Sequence, residues 1–195
     1  MVGLEADRLL SAYAQGVFPM ADAHGRIRWY TADPRGIIPL EGFHVPRTLE
    51  SLLRRQPPRF EVRINGDFCA TMRACMQARR EGTWITPELV EAYGRLHELG
   101  HAHSVECWRN GRMVGGLYGV SVGAAFFGES KFHTETDASK VALVHLVQRL
   151  RERGFELLDT QACTPHLRRF GCIEISAAEY GRRLRRAIVK QRTFA

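Results

Sequence analysis

Residues 104–130 read SVECWRNGRMVGGLYGVSVGAAFFGES. Asn110-Gly111 is the dipeptide that a two-residue hairpin turn favours, because both central positions of that turn take positive φ. The apolar runs that flank it, 104–108 and 112–120, are therefore predicted to pair as antiparallel strands, and 124–129 to add a third strand to the meander. Downstream, residues 138–153 bring Val141, Val144, Val147 and Leu150 round at helical spacing and stop at Gly154. That helix leads straight into FELLDTQ at 155–161, a buried strand. Upstream, Thr86-Pro87-Glu88 supplies a capping hydroxyl, a proline where no N–H is needed and an acid at the positive end of a helix that Gly100 terminates. Before it come a helix over 46–55, a strand of alternating Phe60, Val62 and Ile64, and a helix over 67–80. After FELLDTQ, Ser176-x-x-Glu179 is a capping box that opens a tail helix with arginines outside. Residues 19–46 are dense in Pro and Gly, with extended pieces at 27–31 and 36–40, and a short helix covers 4–16. The class is α+β, with a small N-terminal domain over 1–42 and the main domain over 43–195.

Composition narrows the function classes. The chain has 195 residues, 45% of them hydrophobic and 25% charged, which is the balance of a globular domain rather than of a disordered or fibrous chain. The uncharged stretch 113–128 holds 16 residues and five glycines, too short and too broken for the roughly 20 apolar residues of a membrane span. The start MVGLEADRLL has no basic segment ahead of an apolar core, so it is not a secretory signal and the cytoplasm is the expected compartment. Five cysteines without a C-x-x-C pair argue against a disulfide framework and a thiolate zinc site. The net charge is +7, and from residue 166 onward eight basic residues meet only two acids, a clustering that suits a polyanion such as nucleic acid, or a solvated helix face.

Within 155–161 a period of two puts Phe155, Leu157, Asp159 and Gln161 on one face, a core-facing row that turns polar at its end. Such a row enters a pocket, or else Asp159 caps the next turn. Glu129 is the first charge after the uncharged stretch, beside Phe126 and Phe127, where it can bind a cation or simply end a strand. Arg47, Arg54 and Arg55 recur at about helical spacing and can face phosphates or water. His97, His101 and His103 lack a nearby acid at helical spacing and read as structural. No phosphate loop, dinucleotide fingerprint or metal-protease motif occurs.

Taken in order, FPM at 18–20, WYTADPRG at 29–36, EGTWITPELVEAYGRLHELGHAHSVECW at 81–108, GGLYGVSVGAAFFGES at 115–130, ASK at 138–140 and DTQ at 159–161 resemble the leucyl/phenylalanyl-tRNA–protein transferase family. The resemblance covers most of the chain. It implies a main domain of the GNAT (N-acetyltransferase superfamily) fold with a mainly antiparallel sheet. It also implies transfer of Leu or Phe, and less efficiently Met, from aminoacyl-tRNA to proteins that begin with Arg or Lys, marking them for degradation, without metal or other cofactor; a monomer is expected. By position, Gln161 is expected to accept a proton from the attacking amine and Asp159 to polarise Gln161, with Glu129 at the reaction centre. Leu117 and Phe126 are expected to line the donor side-chain pocket, Trp84 and Tyr93 to meet the tRNA 3′ end, and Arg47, Arg54 and Arg55 to hold the acceptor stem.

The family usually reads GESMF where this chain has Lys131. If the strand continues with a period of two, Lys131 shares a face with Glu129, pairs with it and weakens the preference for basic acceptors. The competing function is acyl transfer from acetyl-CoA. Its pyrophosphate loop finds only residues 112–117, RMVGGL, which fall in a predicted strand.

Overall fold

The computed structural model describes residues 4–78 and 82–195. A seven-stranded sheet is its backbone. The central hairpin forms as expected: β5 (Ala102–Arg109) and β6 (Arg112–Val122) pair antiparallel around Asn110 (φ 50°) and Gly111 (φ 73°). β7 (Ala125–His133) completes the meander and runs four residues beyond the expected end at 129. β4 (Glu61–Ile64) lies outside β5. Helix α5 (Ala138–Glu152) then carries the chain back to β8 (Leu157–Gln161), which pairs parallel to β7. On the far side of β8 stand β3 (Arg35–Ile38) and the short β9 (Ile173–Ile175), both antiparallel. The class is α+β and the sheet is mainly antiparallel, with one parallel pair.

The remaining elements cover the two faces. α1 (Ala6–Ala14), α3 (Phe68–Gln77), α4 (Pro87–Glu98) and α7 (Ala177–Ile188) bury their stripes against Tyr118, Val120 and Phe127 on one side. α5 and α2 (Arg47–Leu53) pack on Val105, Leu117, Phe126 and Leu158 on the other. The caps read in the sequence form: Thr86 Oγ1 accepts from the Leu89 amide, and Ser176 Oγ from that of Glu179. The last residues of the helix expected over 67–80 lie outside the described residues. A two-stranded ribbon, β1 (Phe18–Ala21) with β2 (Ile27–Tyr30), and a short helix α6 (Pro165–Arg168) complete the fold.

β3 sits in the stretch 1–42 yet is an interior strand of the large sheet, between β8 and β9. Its approach to the end of β8 is close: a Cβ on Gly36 would lie 2.5 Å from the Ala162 carbonyl carbon, so only glycine fits there.

Candidate active site

The parallel pair β7–β8 lasts only from Ala125–Leu157 to Phe127–Asp159. Beyond it the two strands are no longer paired through their backbones, and a cavity of about 480 Å³ opens, lined by Gly128, Glu129, Ser130 and Lys131 of β7 and by Leu158, Thr160 and Gln161 of β8. That volume is of the size that holds a small ligand. One wall is aliphatic, made by Leu117 with Leu143, Leu146 and Leu167, and Phe18, Met20 and Trp84 stand on the opposite side.

Glu129 owes its position to a β-bulge. Tyr118 faces Ser130 and Gly119 faces Gly128, so Glu129 is the extra residue of β7 and breaks the alternation there. Its side chain turns toward α1 and α4, where Oε1 accepts from Tyr13 Oη at 2.8 Å and from Gln161 Nε2 at 3.4 Å. Tyr93 Oη is hydrogen-bonded to Tyr13 Oη in turn. Oε2 makes no hydrogen bond among the described residues. Burial pushes the Glu129 carboxyl up to about 8, and the negative Asp159 adds to the rise.

Asp159 is fully buried and its two oxygens are fully engaged. Arg35, 1% exposed, meets Oδ1 through Nε at 3.0 Å and Oδ2 through Nη2 at 2.6 Å. Tyr180 Oη donates to Oδ2 at 2.7 Å, and the backbone N–H of Gln161 donates to Oδ1 at 2.8 Å. Gln161 itself stands at φ 56°, a left-handed conformation that costs a residue with a Cβ about 1–3 kcal/mol and persists where the surroundings enforce it. Arg35 is fixed by the rings of Phe18 and Tyr180, 4.9 and 4.5 Å from its guanidinium carbon, and by the Gly16 carbonyl. Two distant segments, β3 through Arg35 and α7 through Tyr180, thus hold one carboxylate, which holds the end of β8.

The structure brings Asp159, Gln161, Glu129, Leu117 and Trp84 together at or beside the cavity. Asp159 touches Gln161 through its backbone amide, not its carboxamide. Phe126 is not on the cavity wall: it is fully buried against Phe155 and Phe194, with ring centroids 6.5 and 5.2 Å away. Tyr93 is fully buried too, edge-on to Tyr118, and reaches the site only through Tyr13. Arg47, Arg54 and Arg55 stand exposed on α2 and just after it, with Arg54 3.8 Å from Glu50.

The expected pairing of Lys131 with Glu129 does not form. The bulge shifts the alternation by one residue, so Lys131 lies opposite Leu117 on the α5 side while Glu129 faces α1, and no ion pair joins them among the described residues. Residues 112–117 lie inside β6 and form no loop at a helix start. Sequence reasoning missed Arg35, Tyr13 and Tyr180, whose polar ends sit on turn-rich or apolar segments.

A family described as "Leucyl/phenylalanyl-tRNA protein transferase" matches residues 37–185, and its N-terminal domain matches residues 3–33. A leucyl/phenylalanyl-tRNA–protein transferase of Paramagnetospirillum magneticum is 54% identical, over 98% of this chain and 92% of its own length. One of Maricaulis maris is 50% identical, over 100% of this chain and 91% of its own. Among solved structures, a ribosomal-protein-alanine N-acetyltransferase of Brucella melitensis overlaps 56% of this chain and 84% of its own at a TM-score of 0.40 and 14% identity.

Proposed function

Because the chain belongs to the leucyl/phenylalanyl-tRNA–protein transferase family, we propose that the cavity between β7 and β8 is where it moves Leu or Phe, and less efficiently Met, from aminoacyl-tRNA to the N-terminal amine of proteins that begin with Arg or Lys. The enzyme is an aminoacyltransferase, and acceptors so modified are marked for degradation. It works as a monomer in the cytoplasm. The observation that carries the reading is the join of two environments in one cavity: a leucine wall suited to an aliphatic or aromatic donor side chain, and beside it a half-buried carboxyl with an open oxygen.

An aminoacyl ester is already activated, so positioning and the relay of one proton from the amine to the leaving oxygen suffice. The acceptor amine attacks the ester carbonyl carbon, a C–N bond forms, and the tetrahedral intermediate collapses by breaking the bond to the ribose oxygen. The amine proton passes to Glu129, whose raised pKa suits a base working near neutral pH, and from Glu129 on to the departing ribose oxygen, which leaves as a hydroxyl. The Gln161 carboxamide, which already bonds Glu129, accepts a hydrogen bond from the amine and orients it. Asp159 is a positioning residue: it holds the Gln161 backbone, and Arg35 and Tyr180 hold it. Trp84 stacks on the terminal base of the tRNA, and Tyr93 acts through Tyr13. Incubation with leucyl-tRNA and a peptide that begins with Arg should yield leucylated peptide, and acetyl-CoA should give no acetylated product. Acetylation without leucylation would overturn the reading.

Two further outcomes are expected. Leu117→Trp fills the donor wall and should change the Leu-to-Phe rate ratio, within the roughly 10- to 200-fold that a pocket of this kind delivers. Phe126→Ala, by contrast, should cost about 3–5 kcal/mol of stability and leave the ratio alone, as read by competing donors and by urea unfolding. On α2, each of Arg47→Ala, Arg54→Ala and Arg55→Ala should weaken tRNA binding and lower its log–log salt slope by about 0.7 to 0.9. Wild-type slopes in all three would make that helix a solvated face.

A further inference from the structure

The chain has three lysines, and two of them have acids: Lys140 pairs with Asp137 and Lys190 with Glu156. Lys131 has none. It lies opposite Leu117 and lines the leucine-walled cavity, yet its Nζ is shut off from solvent and has no hydrogen-bond partner among the described residues. Its charged surroundings are basic: Lys140 at the start of α5 acts on it, and its own field, with those of Lys140, Arg169 and His133, falls on His166 of α6. His166 Nε2 is likewise buried without a partner among the described residues. Burial and Lys140 bring the Lys131 ammonium down to about 8, and burial followed by Lys131 brings His166 down to about 4, so His166 is neutral at pH 7.

An ammonium withdrawn from water and given no acceptor is unfavourable, and a ligand that brings an acceptor within its reach recovers much of that loss. An aliphatic ligand recovers none of it. We propose that Lys131 is a donor-specificity residue: it shifts the cavity away from purely apolar side chains and toward unbranched donor side chains that end in a carboxylate or carboxamide. The proposal rests on the cavity being the donor side-chain pocket and states what that pocket selects. It also moves Lys131 from the acceptor side, where adjacency to Glu129 in sequence had put it, to the donor side, where the bulge leaves it.

Methionine, glutamine and glutamate side chains are of nearly equal length, which makes them the probes. One tRNA, acylated with each by an aminoacylating ribozyme, is presented to the wild type and to Lys131→Met in single-turnover transfer to a peptide that begins with Arg. Lys131→Met keeps the length of the side chain and removes the buried charge. It should raise the Met-to-Gln and Met-to-Glu rate ratios by about 10-fold or more. In the wild type the Met-to-Glu ratio should also climb between pH 7 and 8.5 as Lys131 loses its proton, and it should stay flat in Lys131→Met. Ratios cancel the titration of Glu129, which every donor shares. Ratios equal in the two proteins and flat with pH would overturn the proposal. Leu117→Trp separates the two levels: if it changes Leu against Phe while Lys131→Met changes nothing, the pocket stands and Lys131 has no part in it. If neither substitution changes any ratio, the pocket assignment falls and the proposal with it.

Discussion

Asp159→Asn is expected to unsettle the protein and lower transfer by about 10²- to 10⁴-fold, with charged-tRNA binding nearly intact in the molecules that stay folded. The stability loss follows from Arg35. Its guanidinium is 1% exposed and meets both oxygens of Asp159, so neutralising the acid leaves a buried cation uncompensated, a change that typically costs about 3–5 kcal/mol. The activity loss follows from Gln161, whose amide bonds Asp159 and whose left-handed backbone depends on that hold. A further readout distinguishes positioning from bulk stability. The charge of Asp159 helps raise the Glu129 carboxyl, so the rising limb of the pH–rate profile should move to lower pH in Asp159→Asn. Urea unfolding, filter binding of charged tRNA and single-turnover rates across pH measure the three effects. A folded variant with wild-type rate and profile would remove Asp159 from the site.

Glu129→Gln should lower transfer near pH 7 by a similar factor, about 10²- to 10⁴-fold, because the amide cannot take the amine proton. In the wild type, kcat/KM should rise with pH toward about 8 as Glu129 and the acceptor α-amine both lose their protons, and the variant should keep only the amine's share of that limb. Stability carries the opposite sign. The folded-state pKa lies above the ordinary 4.5, so the unfolded chain gives up this proton first and binds fewer protons between those values. The contribution is therefore present in full below about 4.5 and is lost as pH climbs to about 8. Wild type should lose stability relative to Glu129→Gln across that window in denaturant melts at pH 5, 6.5 and 8. Parallel stability curves would mean that Glu129 is an ordinary surface carboxylate.

Much of this architecture is written locally. Asn110-Gly111 specifies the central hairpin because few other dipeptides accept positive φ twice, and Thr86 and Ser176 announce their helices through one hydroxyl each. DTQ is legible as a strand that ends polar. What resists reading is non-local or off-period. Arg35 lies in a turn-rich segment, and nothing nearby in sequence says that it becomes an interior strand beside β8 with its guanidinium on Asp159. Tyr13 and Tyr180 look like apolar stripe residues of α1 and α7, and their hydroxyls acquire meaning only when three segments converge. Glu129 is the instructive failure: a period of two pairs it with Lys131, whereas one bulged residue sends the two to opposite faces. Phe126 shows the converse, a residue in a telling motif whose ring belongs to the core.

The claim on which the rest depends is that the donor side chain enters the cavity between β7 and β8. A tRNA acylated with photo-leucine, whose diazirine inserts into whatever it touches on irradiation, tests it directly, with peptide mapping of the cross-linked enzyme. Insertion is expected at the aliphatic wall, at Leu117, Leu143, Leu146, Leu158 and Leu167 and the Lys131 stem, and should vanish when excess leucyl-tRNA competes. Cross-links that map outside this wall, from a photo-leucyl-tRNA that the enzyme still uses as a donor, would contradict it.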